Sequence, residues 1–346
     1  MSSPEKRKKK TTTKELLLPP TPQSTPNLPD DLLLSCFARV SRLYYPTLSL
    51  ASKGFGSLIA SPELYKTRSR LHRTEICLYV CLSLPHDPNP RWFTLCRRPN
   101  RALTKEKNLG MNLLVPIASP PSTPVKPCFV AVGSEIYQIS GRVNDVPSCD
   151  VSVLDCRSHS WHQAPNMNVV MHNRSAIVVD GKIHVKGEEV EGFESPMVEV
   201  YDPKTLTWKF ELHGSEESFL RDDFAAGLPL YCCVIDEVIY YLYDNGRIFW
   251  CDLKSKELRI LKGVTGLPEF NRSDHDARLV DYGGNLAVLW EDHGRSSNSE
   301  EKMIWCAVIA VDRSNREEFT GTVEWFDPVL EVTESCSFVR VLAATV

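Results

Sequence analysis

Four thiol and imidazole groups crowd into one short stretch of this sequence: Cys149, Cys156, His159 and His162, in the order C-x6-C-x2-H-x2-H. These are ligand types that zinc prefers, and a tetrahedral site would need all four to converge. A second stretch, RSDHDAR, sets Ser273, Asp274, His275 and Asp276 side by side. A nucleophile, its base and an orienting carboxylate normally converge from separate segments, so neighbours on one loop make a poor triad. No G-x-S-x-G elbow, G-x-x-x-x-G-K-[ST] loop or H-E-x-x-H helix occurs, so the chemistries those motifs signal are not expected.

The elements that carry the first cluster decide its meaning. DCRSHSW (Asp155 to Trp161) is matched by DPKTLTW (Asp202 to Trp208) and DLKSKEL (Asp252 to Leu258), which start 47 and 50 residues apart. That period belongs to propellers and solenoids. Cys156 aligns with Pro203 and Leu253, and His159 with Leu206 and Lys256. The same turn therefore folds without metal in its sister copies, and neither a metal nor another cofactor is expected.

Ahead of each Asp stand two apolar runs joined by a tight turn: CFVAVGSEIYQISG, SAIVVDGKIHVKG, YCCVIDEVIYYLYDNG and, in a fourth copy, ARLVDYGGNLAVLW. Val, Ile, Tyr and Cys in short blocks around Asp-Gly, Gly-Ser or Gly-Gly predict β-hairpins, because those turn residues tolerate positive φ. Four short strands per repeat make one propeller blade. In this reading Asp155, Asp202 and Asp252 start the turn between third and fourth strands by accepting from a backbone N–H two residues on. Trp161, Trp208 and Leu258 then pack between blades.

The fourth unit runs from Arg278 through Asp312 to Trp325, lengthened by EDHGRSSNSEEK. A partial unit, ICLYVCLSLPHDPNPRWFTLCRR, precedes the series, followed by the loop PIASPPSTPVKP. The terminal SFVRVLAATV is expected to pair with these early strands and close a ring of five or six blades. Segments of unequal length between units are the expected recognition loops: 141–150, 187–196 and 291–302 on one rim, and 162–174, 213–224 and 264–277 on the other. The repeat resembles the kelch repeat, with Ser140-Gly141 and Lys186-Gly187 where that family carries a glycine pair. Some kelch propellers are copper oxidases, but no ligand set for copper can be picked out, and a catalytic role is not expected.

Composition fits an ordinary folded protein: 346 residues, 42% hydrophobic, 24% charged and a formal net charge of -4. A nucleic-acid binder would be more basic, and no apolar run approaches the ~20 residues that span a bilayer. Three leucines after the basic start are too few for a signal peptide, and the 12 cysteines form no C-x-x-C pair. Reduced thiols in the cytosol or nucleus are expected, so the sequons at Asn173 and Asn271 carry no glycan. Residues 1–24 form a basic, proline-rich tail in which Lys6, Arg7, Lys8, Lys9 and Lys10 could serve as a nuclear signal or simply as a solvated basic segment. Thr21-Pro22 and Thr25-Pro26 are candidate phosphorylation sites of the same standing.

Between the tail and the repeats, residues 25–72 have a different pattern. Asp30 can cap a helix carrying Leu32, Leu33, Cys36, Phe37 and Val40; Pro46 suits the first turn of a second, with Leu48, Ala51, Phe55, Leu58 and Ile59; Ser61-Pro62 opens a third, with Leu64, Tyr65, Arg68 and Leu71. Three short helices make a marginal core with apolar surface to spare, so the module needs a partner. Leu28-Pro29, Asp31 and SLASKGFGSLIASPELY together resemble an F-box.

An F-box ahead of degenerate kelch repeats at 73–346 is similar to the plant F-box/kelch-repeat family. The resemblance implies a mainly β fold, a kelch-type propeller preceded by a small helical F-box. It also implies a non-catalytic receptor subunit of an SCF-type ubiquitin ligase: the F-box binds a Skp-family adaptor, and through it cullin and RING subunits, while the propeller holds a protein target. The positions it marks as adaptor-facing or supporting are Leu28, Pro29, Leu32, Cys36, Phe37, Leu48, Leu50, Lys53, Phe55 and Leu58. Their alternative role is an internal helical core. Gly54 and Gly56 stand where the family carries bulkier residues, which opens a second reading, a kelch scaffold outside any ligase with a decayed F-box.

Overall fold

The computed structural model describes residues 28–87, 89–98, 110–120, 124, 126–143, 146–189, 197–210, 232–243, 245–270, 277–292, 302–332 and 336–346. The basic tail and Ser273 to Asp276 lie outside these, as does all of 213–224. Among the described residues, twenty strands form five antiparallel sheets of four, each one blade. The second blade is β4 (Cys128–Val132), β5 (Glu135–Val143), β6 (Val146–Asp155) and β7 (Ser160–Ala164). The third is β8 (Met171–Val179), β9 (Lys182–Glu189), β10 (Met197–Asp202) and β11 (Thr207–Phe210). The fourth is β12 (Cys232–Ile235), β13 (Val238–Leu242), β14 (Ile248–Asp252) and β15 (Leu258–Ile260). The fifth is β16 (Arg278–Tyr282), β17 (Asn285–Asp292), β18 (Lys302–Asp312) and β19 (Thr320–Val332).

The first blade joins both ends of the ring. Its order is β20 (Ser337–Thr345), β1 (Ile76–Ser83), β2 (Arg91–Arg97) and β3 (Asn112–Ile117), and β20 pairs with β1 from Thr345 opposite Ile76 to Ser337 opposite Ser83. The innermost strands touch around the axis, β20 with β4, β4 with β8, β12 with β16 and β16 with β20. Apolar side chains from facing sheets fill the gaps between blades, as with Leu78, Val80 and Phe338 of the first against Leu289, Cys306 and Val308 of the fifth.

The repeated Asp motif has one geometry in every copy. Asp155, Asp202 and Asp252 each accept from the backbone N–H two residues on, at 2.9, 2.9 and 2.7 Å, and Asp312 does the same to Ser314 at 2.8 Å. Four residues after the first three Asp, His159, Leu206 and Lys256 all turn through a left-handed φ of 56°. Trp161 and Trp208 donate their indole N–H to Ala118 and Pro165, each exactly one structural step back at 43 residues and 2.8 Å. Leu258 cannot donate and is 50% exposed, so it does not fill the inter-blade position expected of it. In the fifth blade Phe319 packs on the preceding blade, stacked 3.9 Å from Trp250, while Trp325 packs against the cluster shared with the first blade.

Strand alternation corrects the assignment of loops to rims. In an up-and-down blade the first-to-second and third-to-fourth turns share one end, while second-to-third turns and the links between blades share the other. The strand ends flanking all six unequal segments therefore lie on one rim, and the tight turns, including the Asp motifs, lie on the opposite one. Much of 141–150 is strand: β5 and β6 continue to Val143 and from Val146.

The N-terminal module has four α-helices rather than three: α1 (Asp30–Phe37), α2 (Tyr45–Ala51), α3 (Lys53–Ile59) and α4 (Pro62–Arg70), with a 3₁₀ turn at Arg42–Tyr44. The predicted second helix breaks at Ser52, whose extended backbone (φ -160°, ψ 157°) lets its hydroxyl accept from Phe55 N and cap α3. Ser61 caps α4 as expected from its place before Pro62. Asp30 is the first helical residue, not the cap; Pro29 precedes it and no side-chain cap bond forms. As an acid in the first turn it still suits the helix dipole.

Candidate functional site

The helical module is joined to the propeller through the rim of tight turns. Arg42 on the 3₁₀ turn donates from Nη2 to the Cys156 carbonyl and contacts His159 Nε2 at 3.0 Å. The Tyr65 hydroxyl donates to the Arg157 carbonyl at 2.8 Å, and the Arg42 guanidinium lies 5.5 Å from the centre of the Tyr65 ring. From the propeller side Tyr79 donates to the same Cys156 carbonyl at 2.9 Å. Apolar residues of both parts merge into one cluster, Phe37, Tyr45, Ile59 and Leu64 with Tyr79, Trp92, Leu154 and Leu342.

Two members of the cysteine-histidine cluster thus have a specific job: Cys156 and His159 form the turn on which Arg42 and Tyr65 rest. Their counterparts in the third and fourth blades meet no such partner; Leu206, for one, is exposed. Among the described residues no group of three His, Cys, Asp or Glu is placed to hold a metal ion.

The segment linking the two parts is equally constrained. Glu75 pairs with Val346 through both backbone bonds at 2.8 Å. Its carboxylate accepts from Arg42 N at 2.7 Å and Ser41 Oγ at 3.2 Å, and faces Arg68 at 3.3 Å. Arg68 is fully buried and also donates to the Val40 carbonyl and Tyr45 hydroxyl, at 2.8 and 2.9 Å. Sequence reading placed Arg68 on an apolar helix face and passed over Arg42 and Glu75. Nothing local marks them, because their partners lie in other segments of the chain.

Burial and the nearby Arg42 cation hold His159 down to about 4. Arg42 is a donor, so Nε2 accepts and the ring is neutral at pH 7. A histidine near 6.5 when unfolded and about 4 when folded binds fewer protons in the native state. Stability is then unaffected above about pH 7 and falls as pH drops from 6.5 towards 4, by about 2 kcal/mol at pH 5. His159→Asn keeps a side chain that tolerates positive φ, and its thermal midpoint is expected to change less between pH 7 and pH 5 than that of the wild type.

The ten F-box positions divide by burial. Leu28, Leu32 and Leu50 are 56%, 51% and 84% exposed, and Pro29, Cys36 and Lys53 are exposed beside them. Leu32 and Cys36 are four apart on α1 and share a face. Phe37 is buried instead, its ring 4.9 Å from that of Phe55, and Leu48, Phe55 and Leu58 pack against the same cluster. These four support the helices from inside. Methyl groups added at Gly54 or Gly56 would come no nearer than 3.8 and 3.6 Å to their neighbours, so α3 has room for alanine and gives up about 0.5–1 kcal/mol at each glycine.

Comparison with known proteins agrees with this architecture. The F-box domain family matches residues 26–67, and the FKB95 kelch-repeats domain family matches 92–228 and 226–330. Three Arabidopsis thaliana proteins named F-box/kelch-repeat proteins are similar over nearly their full lengths. One is 46% identical over 399 residues and another 43% over 387, each covering all of both chains; a third is 43% identical over 365, covering 95% of this chain and 96% of its own. A helical module seated on the tight-turn rim of a degenerate five-bladed propeller, with relatives alike from end to end, places this chain in the plant F-box/kelch-repeat family.

Proposed function

We propose that the chain is the target-binding subunit of an SCF-type ubiquitin ligase, its F-box docking on a Skp-family adaptor and its propeller holding the protein to be ubiquitinated. The observation that carries this is the division of the F-box surface. One side is committed to the propeller through Arg42, Tyr65 and Arg68, while Leu28, Leu32 and Leu50 remain exposed at a cost that an apolar partner would remove. The rim of unequal loops lies at the far end of the propeller from this module, which leaves it accessible to a target while the adaptor is bound.

In this role the chain makes and breaks no bonds. It raises the effective concentration of target lysines near a conjugating enzyme, and a rigid junction preserves that advantage because the two sites keep one separation. The working compartment in this reading is the cytosol or nucleus.

Pull-down with a purified Skp-family adaptor tests the proposal. The wild-type chain is expected to bind, and the Leu28→Ala, Pro29→Ala double variant to lose most of that binding without a change in melting temperature, since both side chains are exposed. Absence of wild-type binding, or full binding by the variant, would favour the scaffold reading.

A further inference from the structure

We propose that a cleft on the far rim of the fifth blade receives an arginine side chain from a basic segment of the target; this rests on the target-receptor reading above. The cleft has a volume of about 440 Å³ and lies where β17 and β18 approach the rim, closed on one side by Pro268, Glu269 and Phe270 from the link between fourth and fifth blades. Trp290 and Trp305 face one another as a cross-strand pair, nearly parallel at 12° with centroids 6.3 Å apart. Phe326 on the outer strand meets both, at 5.3 and 5.0 Å, and Phe270 meets Trp290 edge-on at 5.7 Å.

Most aromatic clusters of this kind are core. Here Trp290 is buried, but Trp305 is only half-buried and Phe326 is 38% exposed, so π-faces reach the surface at a rim where targets would arrive. The charge around them selects the ligand. Glu269 and Asp292 are exposed at the lining, and Glu291, next to Asp292 on β17, is buried and accepts from Cys336 N at 3.3 Å. Among the described residues no lysine, arginine or histidine lines the cleft.

Two of the segments whose flanking strand ends lie on this rim are acidic in sequence. Residues 187–196 carry Glu188, Glu189, Glu191 and Glu194 with no Lys or Arg, and 213–224 carry Glu216, Glu217, Asp222 and Asp223 against Arg221. Acidic segments attract basic ones at long range, and aromatic faces beside carboxylates favour a cation. Arginine suits this cleft better than lysine, because a planar guanidinium can stack on indole or phenyl while its edge donates to a carboxylate.

The test is fluorescence-anisotropy titration of the full chain at 0.15 M salt with labelled peptides of three Gly-Arg-Gly, Gly-Lys-Gly or Gly-Glu-Gly repeats. The arginine peptide is expected to bind about fivefold or more tightly than its lysine counterpart, and the glutamate peptide not at all. Phe326→Ala and Glu269→Gln should each weaken the arginine peptide about fivefold, Glu269→Gln with an unchanged melting curve because its side chain is exposed and Phe326→Ala while still folding cooperatively. Equal affinity for arginine and lysine, unchanged affinity in both variants, or no binding of the arginine peptide would overturn the proposal. The adaptor pull-down run on the same protein separates the two levels: retained adaptor binding with a failed titration removes only this inference, whereas loss of wild-type adaptor binding removes the reading beneath it.

Discussion

Removal of residues 337–346 is expected to abolish the cooperative thermal transition and leave the chain largely insoluble. β20 is the inner strand of the first blade, and its loss strips β1 of every partner on one edge from Ile76 to Ser83. Phe338, Val341, Leu342, Ala344 and Val346 leave the core with it, which opens the packing against both the fifth blade and the F-box. Total stability of a domain is only about 5–15 kcal/mol, and burial of this many apolar side chains at about 1.5–3 kcal/mol each is of that order. An exposed hydrophobic strand edge adds an aggregation route. Circular dichroism and differential scanning calorimetry on the truncated chain check this; a sharp transition near the wild-type midpoint would show that the ring closes without its tenth-from-last residue onward.

Glu75→Ala is expected to lower stability by about 3 kcal/mol and to make the junction between F-box and propeller susceptible to limited proteolysis. The substitution leaves Arg68, which is fully buried, facing no carboxylate, and removes the acceptor of Arg42 N and Ser41 Oγ. Breaking a buried pair by deleting one member costs about 3–5 kcal/mol, and the partial exposure of the Glu75 side chain, 33%, argues for the lower end. Glu75→Gln can keep one acceptor oxygen for Arg42 N and Ser41 Oγ but turns an amide NH2, a donor, towards Arg68, so it recovers only part of the alanine loss. Urea denaturation of the three proteins ranks them; an alanine variant as stable as the wild type would show that the linker carboxylate does not hold the two parts together.

Much of this architecture was legible in the sequence because it repeats. The Asp motif announced the blades, since a short-range Asx turn needs only its own few residues, and the terminal apolar run could be assigned to closure because a ring leaves no other edge. The F-box showed through its helical spacing. What could not be read depends on where distant segments meet. Arg42, Glu75 and His159 are unremarkable in their local surroundings and acquire their roles only from distant residues: Arg42 and His159 from each other, 117 positions apart, and Glu75 from Arg42, Arg68 and Val346. Ser52 looked like an interior helical residue, and its capping role appears only once the backbone turns extended there. Trp290, Trp305 and Phe326 lie on three strands, and no pattern within one strand brings them together.

The pairing of Glu75 with Val346 also orders events during synthesis. The F-box leaves the ribosome early, yet its seat on the propeller includes the strand made last in the ring. A nascent or prematurely terminated chain therefore carries an F-box without its full seat, and a β1 edge left unpaired. Ring closure therefore completes the F-box seat, so that the module is held in its final orientation only on a chain in which every blade has been made.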